Sequence, residues 1–308
     1  MLRRTYKYLI PSVMALAAFT VLTAFTAVSA AAQEPSLNIW EGTSCRAEVR
    51  LTPYLADGDS NIACIVCPGG SYFWLDTKTE GVGVAEWLRS NGISAFVLEY
   101  RVGGIAGFIT HYRLLARGNR YPDMLQDVQR SIQLVRENAD RFNIDPDRLG
   151  VMGFSAGGHL TAMSGMFFDS GVLSLVALSP EVSLRPDFIA PIYPVVSLVD
   201  RSVHKRSRRG LLGEGRAISR EMKDSLSLER HARPDMPPVY LMNCVDDPVV
   251  DYRNSVLLDS ALTAAGVPHR YVRFETGGHG FGATASKTTA EAITWKEDFL
   301  NWLSKLFR

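Results

Sequence analysis

The sequence predicts an α/β fold: a mostly parallel central sheet with helices on both faces and short lid-like insertions. Two observations predict it. Apolar β-like runs alternate with amphipathic runs at helical spacing, the pattern of buried strands joined by crossover helices. One junction also reads Gly153-Phe154-Ser155-Ala156-Gly157, a G-x-S-x-G pentapeptide lying between an expected strand and an expected helix.

The elements follow in order. Val49 to Leu55 reads as an early strand at the sheet edge. Asn61 to Cys67 is a continuous apolar run, expected as a core strand, and ends in Pro68-Gly69-Gly70-Ser71. Val82 to Asn91 reads as a helix stopped by Gly92, and Ser94 to Tyr100 as the next strand. Pro122 opens a helix that places Leu125, Val128, Ile132 and Val135 on one face. Asp145-Pro146-Asp147 is a turn, Arg148 to Gly153 a strand, and Ala156 to Met166 a helix. Phe188 to Tyr193 and Val239 to Asn243 supply two more strands. Tyr252 to Ala265 is a helix closed by Gly266, His269 to Phe274 the last strand, and Thr289 to Phe307 the last helix. Residues 102–121 and 197–233 break the alternation and are read as insertions, since long loops in a compact domain often serve as lids. The second carries the basic run His204-Lys205-Arg206 and Arg208-Arg209, expected as a solvated surface.

The chain has 308 residues, and residues 1–32 read as a secretory signal peptide. Arg3, Arg4 and Lys7 form a basic region, Leu9 to Val28 is apolar, and small residues follow at Val28-Ser29-Ala30 and Ala30-Ala31-Ala32. The expected location is secreted or periplasmic. An uncleaved anchor is the alternative, because the apolar stretch is just long enough to span a bilayer, and only then is a membrane a partner. Residues 33–308 are read as a single domain. Removing Arg3, Arg4 and Lys7, with no acid before Glu34, takes the net charge from +1 to −2. So neutral a chain argues against nucleic acid as a partner and fits a neutral small-molecule or oligosaccharide substrate.

The cysteines are Cys45, Cys64, Cys67 and Cys244. Three residues along a strand cover roughly 10 Å and end on opposite faces. A disulfide needs Cα atoms within about 7 Å, so Cys64 and Cys67 do not pair with each other. Cys244 also lies in an apolar run and reads as a buried small hydrophobe. A partner for Cys45 stays open.

The G-x-S-x-G spacing has a chemical reason. A serine on a sharp strand-to-helix turn projects its hydroxyl alone, and glycines on either side let neighbouring backbone pass. Ser155 is therefore the candidate nucleophile. An oxyanion site needs backbone N–H groups from the residue after the nucleophile and from the loop after an earlier strand, so Ala156, Gly70 and Ser71 are the candidates. The acid should follow, then a histidine. Asp247 stands directly before Pro248-Val249-Val250 and is favoured over Asp246, with Asp251 a weaker third. His279, flanked by glycines in Gly277-Gly278-His279-Gly280-Phe281-Gly282, is the candidate base. His159, four residues past Ser155 on a helix, is expected to pack. His111 and His204 could line a pocket, while His231 and His269 read as surface positions. The aromatics Phe73, Trp74, Phe108 and Tyr112 are expected near the cleft, as core or as stacking surface. No H-x-x-x-H or carboxylate–histidine cluster is present, so no metal and no cofactor are expected.

In combination PGGSY, EYR, GFSAGGHL, DDPVV and GGHGFG, from about Cys45 to the C-terminus, resemble bacterial α/β-hydrolase esterases, acetylxylan esterases and related carbohydrate esterases. The resemblance implies an α/β-hydrolase fold, catalytic Ser155, Asp247 and His279, and Gly70, Ser71 and Ala156 at an oxyanion hole. Its relatives often carry His where this chain has Pro68 and a third glycine where it has Ser71. The expected chemistry is hydrolysis of a carboxylic ester, most simply an acetyl ester of xylan or xylo-oligosaccharide. A feruloyl or small lipid or aryl esterase uses the same skeleton, and more distantly a serine peptidase does. A non-catalytic binding protein on that scaffold is the reading from another class.

Overall fold

The computed structural model describes residues 34–58, 61–111, 118–213 and 218–308. The expected signal peptide lies outside these residues, as do parts of both expected insertions. No described helix is long and apolar enough to cross a membrane.

The strands are β1 (Leu37–Asn38), β2 (Arg50–Tyr54), β3 (Ala63–Cys67), β4 (Ser94–Glu99), β5 (Leu149–Phe154), β6 (Phe188–Ile192), β7 (Val239–Cys244) and β8 (His269–Phe274). They form one sheet in the order β1-β2-β4-β3-β5-β6-β7-β8. The β1–β2 and β2–β4 pairs are antiparallel, and every pair from β4 to β8 is parallel. The helices are α1 (Gly83–Ser90), α2 (Gly104–Thr110), α3 (Asp123–Glu137), α4 (Ala139–Phe142), α5 (Ala156–Met166), α6 (Lys205–Leu212), α7 (Arg220–Asp224), α8 (Arg253–Ala264) and α9 (Trp295–Leu306). The fold is α/β-hydrolase.

Two cores follow from the period of two along each strand. Ile65 and Cys67 face one, with Leu125, Val128, Ile132 and Val135 of α3, Leu160 and Met163 of α5, and Leu258 and Leu262 of α8. Cys64 and Val66 face the other, with Val84 and Leu88 of α1 and Trp295, Phe299 and Leu303 of α9. Cys64 and Cys67 thus lie on opposite faces of the sheet, as the strand geometry requires. All four thiols are free, Cys45 half-buried among them. Burial pushes the Cys64 and Cys67 thiols up, as expected of inert core positions.

Four expectations need correction. Strand β2 is not the outermost, because Leu37 pairs with Leu51 and Ile39 N–H donates to Val49 O. A two-residue strand carries no periodic signal. The last helix starts at Trp295 rather than Thr289, after a 3₁₀ turn at Ala292–Thr294. The Thr289 hydroxyl accepts from Ala292 N–H, so this side chain competes with the helical ladder. The region around 104–110 is helical. The stretch from 197 to 233 holds α6, α7 and a 3₁₀ turn at Leu228–Arg230, and part of it is core, since Leu211, Leu226 and Leu228 are buried.

Because α3 buries its apolar stripe fully, Ile132→Ala is expected to lower the unfolding free energy by about 2–5 kcal/mol. Urea denaturation measures this, and a loss below about 1 kcal/mol would place that face outside the core.

Candidate active site at the carboxyl end of the sheet

Strand β5 delivers Phe154 and α5 starts at Ala156, so Ser155 alone makes the turn, at φ 56° and ψ −117°. Its backbone is held on both sides. Ser155 N–H donates to Ile192 O at 3.1 Å, and Ser155 O accepts from His159 N–H and Val195 N–H at 3.2 and 3.1 Å. Gly157 is needed for the approach of α5 to β3: a Cβ there would collide with the Cys67 and Pro68 carbonyls. The Ser155 hydroxyl points into a site in which the residue is 5% exposed.

The structure brings together the three residues expected to act together. His279 Nε2 lies 2.9 Å from Ser155 Oγ, and His279 Nδ1 lies 2.6 Å from Asp247 Oδ2. The other Asp247 oxygen accepts from Val249 N–H at 2.7 Å and Val250 N–H at 2.9 Å. The carboxylate therefore has a fixed direction and holds the imidazole with its Nε2 lone pair toward the serine. Asp246, the competing acid, does something else. Its Oδ1 accepts from Gly277 N–H and Gly278 N–H, both at 2.9 Å, and so anchors the loop that carries His279. Asp251 accepts from Arg253 N–H at the start of α8 and pairs with the same arginine.

The turn after β3 lies against the serine, for a Cβ at Gly69 would stand 2.9 Å from Ser155 Cβ. Gly70, Ser71 and Tyr72 all have positive φ, at 142°, 57° and 62°. Among the described residues no group accepts from the N–H of Gly70, Ser71 or Ala156. Three donors beside the serine are thus left for a ligand.

Sequence reasoning missed the polar network beneath this site. Glu80, 3% exposed, accepts from Gly69 N–H at 2.8 Å and from the Tyr193 hydroxyl at 2.8 Å. The same hydroxyl accepts from Gly282 N–H at 3.0 Å, and the Tyr193 ring packs on the His279 ring with centroids 4.7 Å apart. One carboxyl therefore ties the turn after β3 to the histidine loop. Burial raises its proton affinity, and the nearby His279 works against that shift. Glu80 lies in a polar run before α1 that reads like any solvated face, and Tyr193 reads as the end of a strand, so neither carried a signal.

The other histidines are accounted for. His159 is fully buried. Its Nε2 is 3.0 Å from the Leu226 carbonyl, which can only accept, so Nδ1 accepts from the Tyr72 hydroxyl at 2.9 Å. His204 lies 2.8 Å from Ser207 Oγ and is close enough to feel the charges on His279 and Asp247. His111 ends α2. His231 and His269 are half-buried rather than on the surface. The first packs on Phe167, and the second pairs with Asp259. Phe73, Trp74 and Phe108 form one cluster, with ring centroids 5.2 to 6.2 Å apart, while Tyr112 lies outside the described residues. No group of three or more metal-ligating side chains occurs among the described residues.

The chain resembles known proteins over most of its length. The model of the BD-FAE family matches residues 58–262. The chain is 28% identical over 289 residues to an acetylxylan esterase of Xylanibacter ruminicola, covering 93% of this chain and 53% of that protein. It is 31% identical over 250 residues to endo-1,4-beta-xylanase B of Butyrivibrio fibrisolvens, covering 79% and 37%. The chain thus spans about half or less of the length of these curated relatives. Among solved structures, an acetyl ester-xyloside bifunctional hydrolase from Caldicellulosiruptor lactoaceticus is 33% identical. It superposes with a TM-score of 0.75 over 89% of this chain and 97% of that one.

Burial lowers the His159 pKa to about 4, against about 6.5 when unfolded, so the folded protein keeps this ring neutral. The unfolded chain binds the extra proton, and stability is lost as pH falls from about 6.5 to about 4. The contribution at neutral pH is of order 3 kcal/mol. His159→Gln retains an acceptor for Tyr72 and a donor for Leu226 but cannot titrate. Urea midpoints measured from pH 7 to pH 4.5 are expected to fall less in this variant than in the native chain, and parallel curves would refute the assignment.

Proposed function

The chain belongs to the BD-FAE family, and on that premise we propose that it is a serine carboxylic-ester hydrolase that removes acetyl groups from O-acetylated xylan or xylo-oligosaccharides. The observation that carries the chemistry is the hydrogen-bonded row Ser155–His279–Asp247, at 2.9 and 2.6 Å. The substrate rests on the names of its relatives: an acetylxylan esterase, a xylanase and an acetyl ester-xyloside hydrolase.

In this reading His279 Nε2 takes the Ser155 proton as the hydroxyl oxygen attacks the acetyl carbonyl. Asp247 keeps the other proton on Nδ1 and stabilises the imidazolium that forms. The amides of Gly70, Ser71 and Ala156 hold the oxyanion, helped by the positive end of α5. The sugar oxygen leaves with the proton from Nε2, and the acetyl group stays on Ser155. Water then gives a proton to Nε2 as its oxygen attacks the acetyl-enzyme carbonyl, and Nε2 returns that proton to Ser155 Oγ as the Oγ–acyl bond breaks and acetate leaves. Glu80 and Asp246 hold the two loops in place and touch no reacting atom. Residues 1–32 act as a signal peptide and direct the chain to a secreted or periplasmic location, where such a polysaccharide is met.

Two measurements test the proposal. Acetate release from acetylated xylo-oligosaccharides, alongside p-nitrophenyl acetate hydrolysis, is expected to fall about 10⁴-fold or more in Ser155→Ala. Turnover of the aryl ester alone would remove the sugar assignment, and unchanged turnover in the variant would remove the mechanism. In Glu80→Ala, kcat is expected to fall about 10–100-fold with KM little changed, since the lost clamp misplaces the attacking geometry rather than the binding surface. A variant with native kcat would show that the two loops hold their positions without it.

A further inference from the structure

The basic run expected to be a solvated surface has a definite place. Helix α6 carries Lys205, Arg206, Arg208 and Arg209, which with Lys223 and Phe108 line a cavity of about 590 Å³. None of the described residues lining it is acidic. Chain-wide basicity does not account for this concentration, because the sequence after the expected signal peptide is close to neutral.

The helix that lines this cavity approaches the proposed catalytic site at both its ends. At the carboxyl end, Gly210 lies on the turn after β3, where a Cβ would collide with the Ser71 carbonyl. At the amino end, His204 is within electrostatic reach of His279 and Asp247. Helix α6, one rim of this cavity, therefore borders the turn after β3, and Arg206 lies over Trp74, the residue that a Cβ at Gly70 would strike.

The aromatic cluster meets the cations there. The Arg209 guanidinium lies 5.1 Å from the Phe73 ring centroid and 4.9 Å from that of Phe108. The Arg206 guanidinium lies 5.9 Å from the Trp74 ring centroid, and Trp74 is 41% exposed. Arg208 donates to the Leu198 carbonyl. Lys205 and Arg206 are exposed and make no ion pair among the described residues.

We propose that this rim is a subsite for an acidic sugar, so that the substrate is an oligosaccharide ester carrying a uronic acid near the ester being cut. The inference rests on the esterase reading above and deepens it. A uronate offers two things this rim would take. Its carboxylate matches the fork of an arginine, with a lysine adding charge, and its ring C–H face suits an exposed tryptophan. A neutral xylo-oligosaccharide makes only the second contact. The carboxylate contacts are solvent-exposed, so the gain is modest and falls with salt.

Isothermal titration calorimetry on the full chain tests this, using xylotetraose and xylotetraose bearing one glucuronic acid branch. No turnover is needed, so the result stands apart from the fate of the esterase reading, which the Ser155→Ala kinetics decide. The acidic oligosaccharide is expected to bind about five-fold tighter at low salt, the value of two exposed ion pairs, with the advantage shrinking in 0.5 M NaCl. In the double variant Lys205→Gln/Arg206→Gln the ratio of the two dissociation constants is expected to fall to about one, the neutral sugar reporting on the cleft in the same preparation. Equal binding of the two sugars by the native chain, or no binding of either, would overturn the inference. So would an advantage that survives in the double variant, or one that sodium sulfate at equal ionic strength matches, which would make the rim a site for small anions.

Discussion

The site depends on one backbone constraint: Ser155 held at a positive φ between β5 and α5. A non-glycine residue in such a conformation costs of order 1–3 kcal/mol and persists only where its surroundings over-determine it. Here they do. Ile192 accepts from the serine amide, and His159 and Val195 donate to its carbonyl. The close approach of α5 to the end of β3 leaves no room for a side chain at Gly157. The strain is therefore carried by strands β3, β5 and β6 together. The result is a hydroxyl directed at His279 from rigid elements, while the partners that must reach it come from loops.

Loops are poor places to hold geometry to a fraction of an ångström, and two carboxyls compensate, Glu80 buried and Asp246 exposed. Asp246 pins the amides of Gly277 and Gly278, and Glu80 ties Gly69 to Tyr193, whose ring supports His279. Satisfied networks of this kind rigidify because each unpaired buried group would be costly. The triad-like row and the three amides without an acceptor among the described residues are thus presented on a prearranged frame, which is what electrostatic stabilisation of a developing oxyanion requires. The chain belongs to the BD-FAE family and is 33% identical to a solved acetyl ester-xyloside bifunctional hydrolase.

The apolar pattern alone determined most of the architecture. The runs at 61–67, 94–100, 148–153, 188–193 and 239–243 lie within a residue or two of β3 to β7, because strands buried on both faces must be apolar throughout, while the run at 269–274 matches β8, the half-exposed edge strand. Helix α5 follows the elbow over the predicted range, and the elbow motif, the two aspartates and the glycine-flanked histidine were all visible as local patterns. Tertiary structure decided what lay between distant segments. Ser155 and His279 are 124 residues apart and Glu80 and Tyr193 are 113 apart, so neither pairing has a local signature. The choice of Asp247 over Asp246 for contact with His279 depended on which carboxyl each loop amide could reach. The helices within 197–233 escaped the pattern because a short basic segment reads as solvent-facing until its neighbours are known. Sequence records which residues must leave water, since burial selects for composition and period. Only the folded chain decides which polar groups meet, since those contacts are made by loops far apart in sequence that the parallel strands bring together at one end of the sheet.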